Sequence, residues 1–211
     1  QNIRKYSYIR DGEPQVKPIT VFICSTQKSA QKNTEAFTAV LADYLKSNIA
    51  EYGELPRSIL EVEARKKVIC VVSQTKNEVE ERFNNAEELD PEKSGGIVEY
   101  IFSVQMLTEG WDVDNVFQIV PMEERAFNSK LLISQVLGRG LRIPRKITHA
   151  EVLQNYPILT VTNHESFSRQ MAVIFPSSRG FIAPKKLLVL CLTFFDAFSA
   201  YAAAFPDLAV P

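Results

Sequence analysis

Apolar residues gather in short continuous runs along this chain, and each run is followed by a polar stretch and then by helical spacing. Residues 19–24 (ITVFIC) form a β-rich apolar run, 25–33 are polar, and Ala36, Val40, Leu41 and Leu45 then recur at helical intervals. That order predicts strand, loop and helix. The cadence returns at 68–72 (VICVV), with a loop at 73–76 and a charged helix over 78–89 that Pro91 and the Gly95, Gly96 pair bring to an end. A third strand is expected over 97–104 (IVEYIFSV) and a fourth over 116–120 (VFQIV). Residues 131–141 carry helical periodicity that stops before Pro144. Strands apolar on both faces and alternating with helices predict an α/β fold, a parallel sheet with flanking helices. Ligands of such sheets gather at the carboxyl ends of strands, which singles out the loops at 25–28, 73–76 and 105–114 and the helix opening near Asn128.

The pattern changes after residue 176. Residues 187–205 (LLVLCLTFFDAFSAYAAAF) carry one charge, Asp196. A stretch of ~20 apolar residues is long enough to cross a bilayer. A carboxylate in mid-span is costly, so a helix buried against another domain is the preferred reading over a membrane span. A terminus foreign to the fold is the remaining one. The chain is thus expected to divide into a lead-in from a preceding domain over 1–17, a main domain over 18–175 and an apolar tail over 176–211. The opening QNIRKYSYIRDGEP lacks the apolar run and cleavage site of a signal peptide and does not begin with methionine, which reads as a piece of something longer.

Composition narrows the classes. With 211 residues, 45% of them hydrophobic, the chain can bury a sizeable core. Its 24 basic and 25 acidic residues cancel, so a nucleic-acid contact has to come from a local strip rather than from a global field. Cys24, Cys70 and Cys191 are widely separated and have no zinc-like spacing, which fits a reducing, cytoplasmic setting. His149 and His164 have no paired ligand pattern and read as surface or core histidines, and the acidic stretch 78–92 reads as a solvated helix.

The chemistry concentrates in 131–142, LLISQVLGRGLR. Read as one helix capped by Asn128 or Ser129, it sets Gln135, Arg139 and Arg142 at offsets of four, three and seven, on a single face. Leu132, Ile133, Val136, Leu137 and Leu141 supply the apolar surface. Gly138 and Gly140 each cost about 1 kcal/mol relative to alanine inside a helix. Glycine beside arginine makes sense where a ligand or another backbone comes close, so that planar guanidinium groups reach phosphate oxygens through paired, charge-assisted hydrogen bonds. Upstream, Gly110 permits a close approach, and Asp112 is expected to place a carboxylate in the strand-end crevice. Trp111 between them reads as packing rather than as a platform for a base or ribose.

The pattern Gln135, Gly138, Arg139, Arg142 resembles motif VI of superfamily 2 helicases, and 103–116 (SVQMLTEGWDVDNV) resembles their motif V. Residues 98–144 look most like the DEAD/DEAH-type motor (Res) subunits of type III restriction enzymes. The resemblance extends over 97–167, is weaker over 18–89 and is absent after 175. It implies a RecA-like domain, the second of two, whose Arg142 acts as the arginine finger on the γ-phosphate of ATP with Arg139 as its phosphate-facing partner and Gln135 beside them. Gly110, Asp112 and Gly138 would border the nucleotide. One departure is Val104, which stands where many members carry threonine, so no nucleotide contact is assigned to it. Ser25, Thr26 and Lys28 would lie at motif IV, and with Ser73, Gln74 and Thr75 would hold phosphates of one strand. The competing reading of these short polar groups is as turn formers and helix caps.

No G-x-x-x-x-G-K-[ST] loop and no acidic pair after an apolar strand occurs in the sequence. By the resemblance, ATP and Mg are held mainly by a preceding RecA-like domain, so the chain alone is expected to be inactive. The implied partners are double-stranded DNA, that domain and a modification (methyltransferase) subunit, with no membrane. Two other readings stay open: a repair or RNA-remodelling helicase without a nuclease, and a non-catalytic RecA-like binding module.

Overall fold

The computed structural model describes residues 4–47, 52, 54–73, 75–104, 111–123, 138, 140–162 and 186–190, the last stretch by its backbone. Its first element is a 3-10 turn, Arg4–Ser7, followed by a hairpin of β1 (Ile9–Arg10) and β2 (Glu13–Pro14). Asp11 (φ 54) and Gly12 (φ 86) form the hairpin's tip, both in the left-handed region that two-residue hairpin turns require. Next come β3 (Ile19–Ile23), α1 (Gln27–Ser47), α2 (Arg57–Lys67), β4 (Val68–Val71) and α3 (Lys76–Asn84). The order ends with β5 (Tyr100–Ser103), β6 (Val116–Pro121), α4 (His149–Gln154), β7 (Ile158–Thr162) and β8 (Lys186–Leu190).

Strands β3 to β8 build one parallel sheet in the order β4-β5-β3-β6-β7-β8. Helices cover both faces, as expected of a RecA-like α/β domain. Because side chains alternate along a strand, β3 sends Ile19, Val21 and Ile23 to one face and Phe22 to the other. The first face packs with Ile69, Val71, Ile101, Ile119 and Leu159 under Phe83 of α3, Trp111 and Leu141. The second packs Phe22, Val68, Phe102 and Val120 under Ala30, Leu41, Ala42 and Leu45 of α1 and Leu60 and Ala64 of α2. There Phe22 and Phe102 stack with ring centroids 4.2 Å apart.

Several boundaries differ from expectation. The charged helix begins at Lys76 and ends at Asn84 rather than 89, because Phe83 and Ala86 turn into the core and pull the chain off the helix axis. The acidic residues that follow are not simply solvated: Glu87 and Glu88 accept backbone N–H groups of Asp114 and of Leu89 and Asp90. The strand expected over 97–104 is limited to Tyr100–Ser103. The lead-in is part of this fold, since Tyr6, Tyr8 and Val16 cluster with Phe117 against the half-buried Ile147 and Ile158. Within the apolar tail, residues 186–190 pair with β7 as a strand, whereas the apolar run is expected to form a helix. Among the described residues no helix is long and apolar enough to cross a membrane.

Candidate functional site

The sequence-predicted residues that the structure describes fall on two opposite edges of the sheet. At the carboxyl edge, the loops after β3, β4 and β6 meet. The Ser25 backbone N–H donates to Glu123 Oε2 at 2.5 Å, and Gln27 Nε2 donates to Ser73 Oγ at 3.0 Å, so Ser25 and Ser73 are brought into one neighbourhood. Thr26 caps α1: its Oγ1 accepts the Ser29 N–H at 3.1 Å, while Ser29 Oγ accepts the Thr26 N–H at 3.3 Å. Thr75 Oγ1 donates to the Cys70 carbonyl at 2.6 Å and accepts from the Val72 N–H at 3.2 Å, which closes the loop after β4 on itself. Thr26 and Thr75 thus do the capping and turn work that short polar side chains offer. Lys28, in the first turn of α1, is exposed. Gln74 lies outside the described residues.

The amino edge carries the other group. Asn115, the residue before β6, donates from Nδ2 to the Lys17 carbonyl at 2.7 Å and to the Ala86 carbonyl at 3.3 Å, which fixes the 111–115 loop beside the start of β3. Asp112 therefore stands on the approach to β6, not in the carboxyl-end crevice where the strand-then-turn reading put it. Trp111 is buried, stacks on Phe83 with centroids 4.6 Å apart and donates from Nε1 to the Phe83 carbonyl at 2.9 Å. It is packing, and its ring has no face left for a base. Val104 is half-buried against the α1 side of the sheet.

Gly138 and Gly140 lie in helical backbone, Leu141 turns, and Arg142 sits in the bend beyond. Arg142 thus lies just beyond the described helical residues. Its guanidinium pairs with the Asp112 carboxylate, and the two side chains stay 45% and 67% exposed. The two glycines have different surroundings. A Cβ on Gly140 would lie 2.7 Å from Leu159 Cδ1 and 3.3 Å from Ile119 Cδ1, so this residue lets the helix seat on β6 and β7. A Cβ on Gly138 would meet nothing within 4 Å among the described residues. Gln135, Arg139 and Gly110 lie outside them.

Sequence reasoning passed over the residues that hold this edge together. Asp114 is buried, and its Oδ2 accepts both the backbone N–H and the Nε–H of Arg145, each at 2.9 Å. The Asp114 N–H is in turn held by Glu87 Oε1 at 2.5 Å. Burial pushes the Glu87 carboxyl up, and the Asp114 carboxylate holds Arg145 more firmly protonated than usual. On the far side of the same loop, Arg10 Nη2 donates to the Lys146 carbonyl at 3.2 Å and to Glu151 Oε2 at 2.7 Å. The available sequence signal was weak: an acidic and a basic residue 31 positions apart have no local pattern.

What the amino edge can do chemically follows from these contacts. It offers an exposed guanidinium set against an exposed carboxylate, near a glycine whose added Cβ would meet nothing within 4 Å among the described residues. That combination suits an anion carried on a separate body, since Arg142 can exchange Asp112 for a phosphate without disturbing the core. Neither a scan against protein-family models nor a search of curated proteins returns a match to this chain.

Proposed function

We propose that this chain is the second RecA-like domain of an ATP-driven nucleic-acid motor, supplying Arg142, with Arg139, to the γ-phosphate of ATP held on a preceding domain. The observation that carries the reading is the pairing of Arg142 with Asp112. Two segments that resemble motifs VI and V meet through exposed charged groups, near a Gly138 whose added Cβ would meet nothing within 4 Å among the described residues. In the parallel α/β frame the opposite edge, with Ser25, Ser73 and the exposed Lys28, is the candidate track for one nucleic-acid strand. ATP and Mg would be gripped mainly by the preceding domain. Arg142 would stabilise charge that develops on the transferring phosphoryl group.

The resemblance of residues 97–167 supports double-stranded DNA as the track and a type III restriction motor as the parent, with a modification subunit as partner. The experiment is ATP turnover by the full-length protein with duplex DNA, single-stranded DNA or RNA added, for the natural sequence and Arg142→Ala. A loss on the order of 10³ with the substitution is expected. Turnover that Arg142→Ala leaves unchanged overturns the assignment. Stimulation by RNA and not by DNA replaces the restriction reading with an RNA-remodelling one.

A further inference from the structure

The backbone on either side of the arginine on which the proposed function depends is held by residues other than its ion-pair partner. Arg142 and Asp112 both face solvent, and an exposed, salt-screened pair constrains long side chains weakly. The backbone around them is held much more firmly. Gly140 is seated on Leu159 and Ile119, two residues before Arg142. Three residues after it, Arg145 is bound through both its backbone N–H and its Nε–H to one carboxylate oxygen of the buried Asp114. Pro144, immediately before, has a fixed φ and no N–H of its own to compete for that carboxylate.

Asp114 is itself not free to move. Its N–H is taken by Glu87, and the next residue, Asn115, is tied to the carbonyls of Lys17 and Ala86. Glu87 also lies 3.6 Å from the Arg145 Nη2, so one guanidinium bridges two carboxylates. We propose that Asp114 and Arg145 are positioning residues for Arg142: they clamp the loop beyond the glycine-bearing helix so that the Arg142 guanidinium is held at one reach from the sheet. The inference rests on the reading of Arg142 as a γ-phosphate contact. A transferring phosphoryl group demands that geometry, because displacing a stabilising group by ~1 Å costs on the order of 10² in rate.

The test is made in the full-length protein with Arg145→Gln, which removes a 67% exposed side chain and keeps the backbone N–H contact to Asp114, and with Asp114→Asn as its partner. Arg145→Gln is expected to lower the kcat of nucleic-acid-stimulated ATP turnover about tenfold or more with the KM for ATP near that of the natural protein, while the melting temperature falls because the buried Asp114 carboxylate loses its guanidinium. In an Arg142→Ala background the same change is expected to have no further effect, since there is no guanidinium left to position. A kcat kept in Arg145→Gln, or losses that multiply in the double variant, overturn the inference and leave the role of Arg142 standing. If Arg142→Ala alone leaves turnover unchanged, the proposed function falls and takes this inference with it. Should Asp114→Asn fail to fold, Arg145→Gln carries the decision alone.

Discussion

The guanidinium of Arg142 meets the carboxylate of Asp112, and this contact joins two loops that lie 30 residues apart in the sequence. Because both groups remain largely in water, the pair contributes only about 0.2–1 kcal/mol to stability, as exposed pairs generally do. Arg142→Ala and Asp112→Asn are therefore expected to unfold in urea within ~1 kcal/mol of the natural chain. The same Arg142→Ala change should cost the full-length protein most of its ATP turnover. A large loss of stability in either variant would assign the pair to structure instead.

Gly138 and Gly140 are two residues apart and should respond oppositely to alanine. At Gly140 the added methyl group meets the buried Leu159 side chain, and overpacking of this kind costs about 1–3 kcal/mol. At Gly138 it meets nothing among the described residues, and helical backbone gains roughly 0.5–1 kcal/mol from the exchange. Denaturant melts of the two single variants check the signs. If Gly138→Ala stabilises the chain yet lowers turnover in the full-length protein, the glycine is retained for what approaches it.

Four strands of the sheet were legible because buried strands are written as continuous apolar runs: β3, β4 and β5 fall inside the runs that predicted them, and β6 runs one residue past its run, to Pro121. Helix α2 was not, since only Leu60 and Ala64 of its charged sequence reach the core. The β1-β2 hairpin was missed although Asp11-Gly12 is a turn signal, because two-residue strands leave no alternation to read. Trp111 was correctly read as packing. Asp112 was placed at the wrong edge: counting from the strand before it puts it at a carboxyl end, while the chain has already returned to the start of β6. The Asp114–Arg145 clamp depends wholly on tertiary proximity, which periodicity does not encode.

Trp111 is the chain's single tryptophan, which makes its environment directly measurable. Buried and stacked on Phe83, it should emit at shorter wavelength than tryptophan in water and resist acrylamide quenching. Trp111→Ala removes a large core side chain and is expected to cost about 3–5 kcal/mol in a denaturant melt. Adding oligonucleotide should leave the emission nearly unchanged. Strong quenching would return Trp111 to the role of a base platform.

Glu151 sets a pH dependence with a definite sign. Its carboxylate is gripped by Arg10, whose Nη2 and Nε donate at 2.7 and 3.1 Å, and it accepts the Thr148 N–H at 2.7 Å in a capping box at the start of α4. The hydrogen bonds from Arg10, followed by that from Thr148, hold its pKa down from 4.5 to about 2. A carboxyl depressed in the folded state binds its proton more readily when unfolded. The stabilisation is thus fully present above about pH 4.5 and is lost as the pH falls toward 2. Glu151→Gln keeps an N3 side chain able to complete the capping box but removes the charge. The difference in melting temperature between the natural chain and this variant should be constant near neutrality and shrink on acidification through that window. A difference that stays level down to pH 2 would mean that the Arg10 contact does not favour the ionised form.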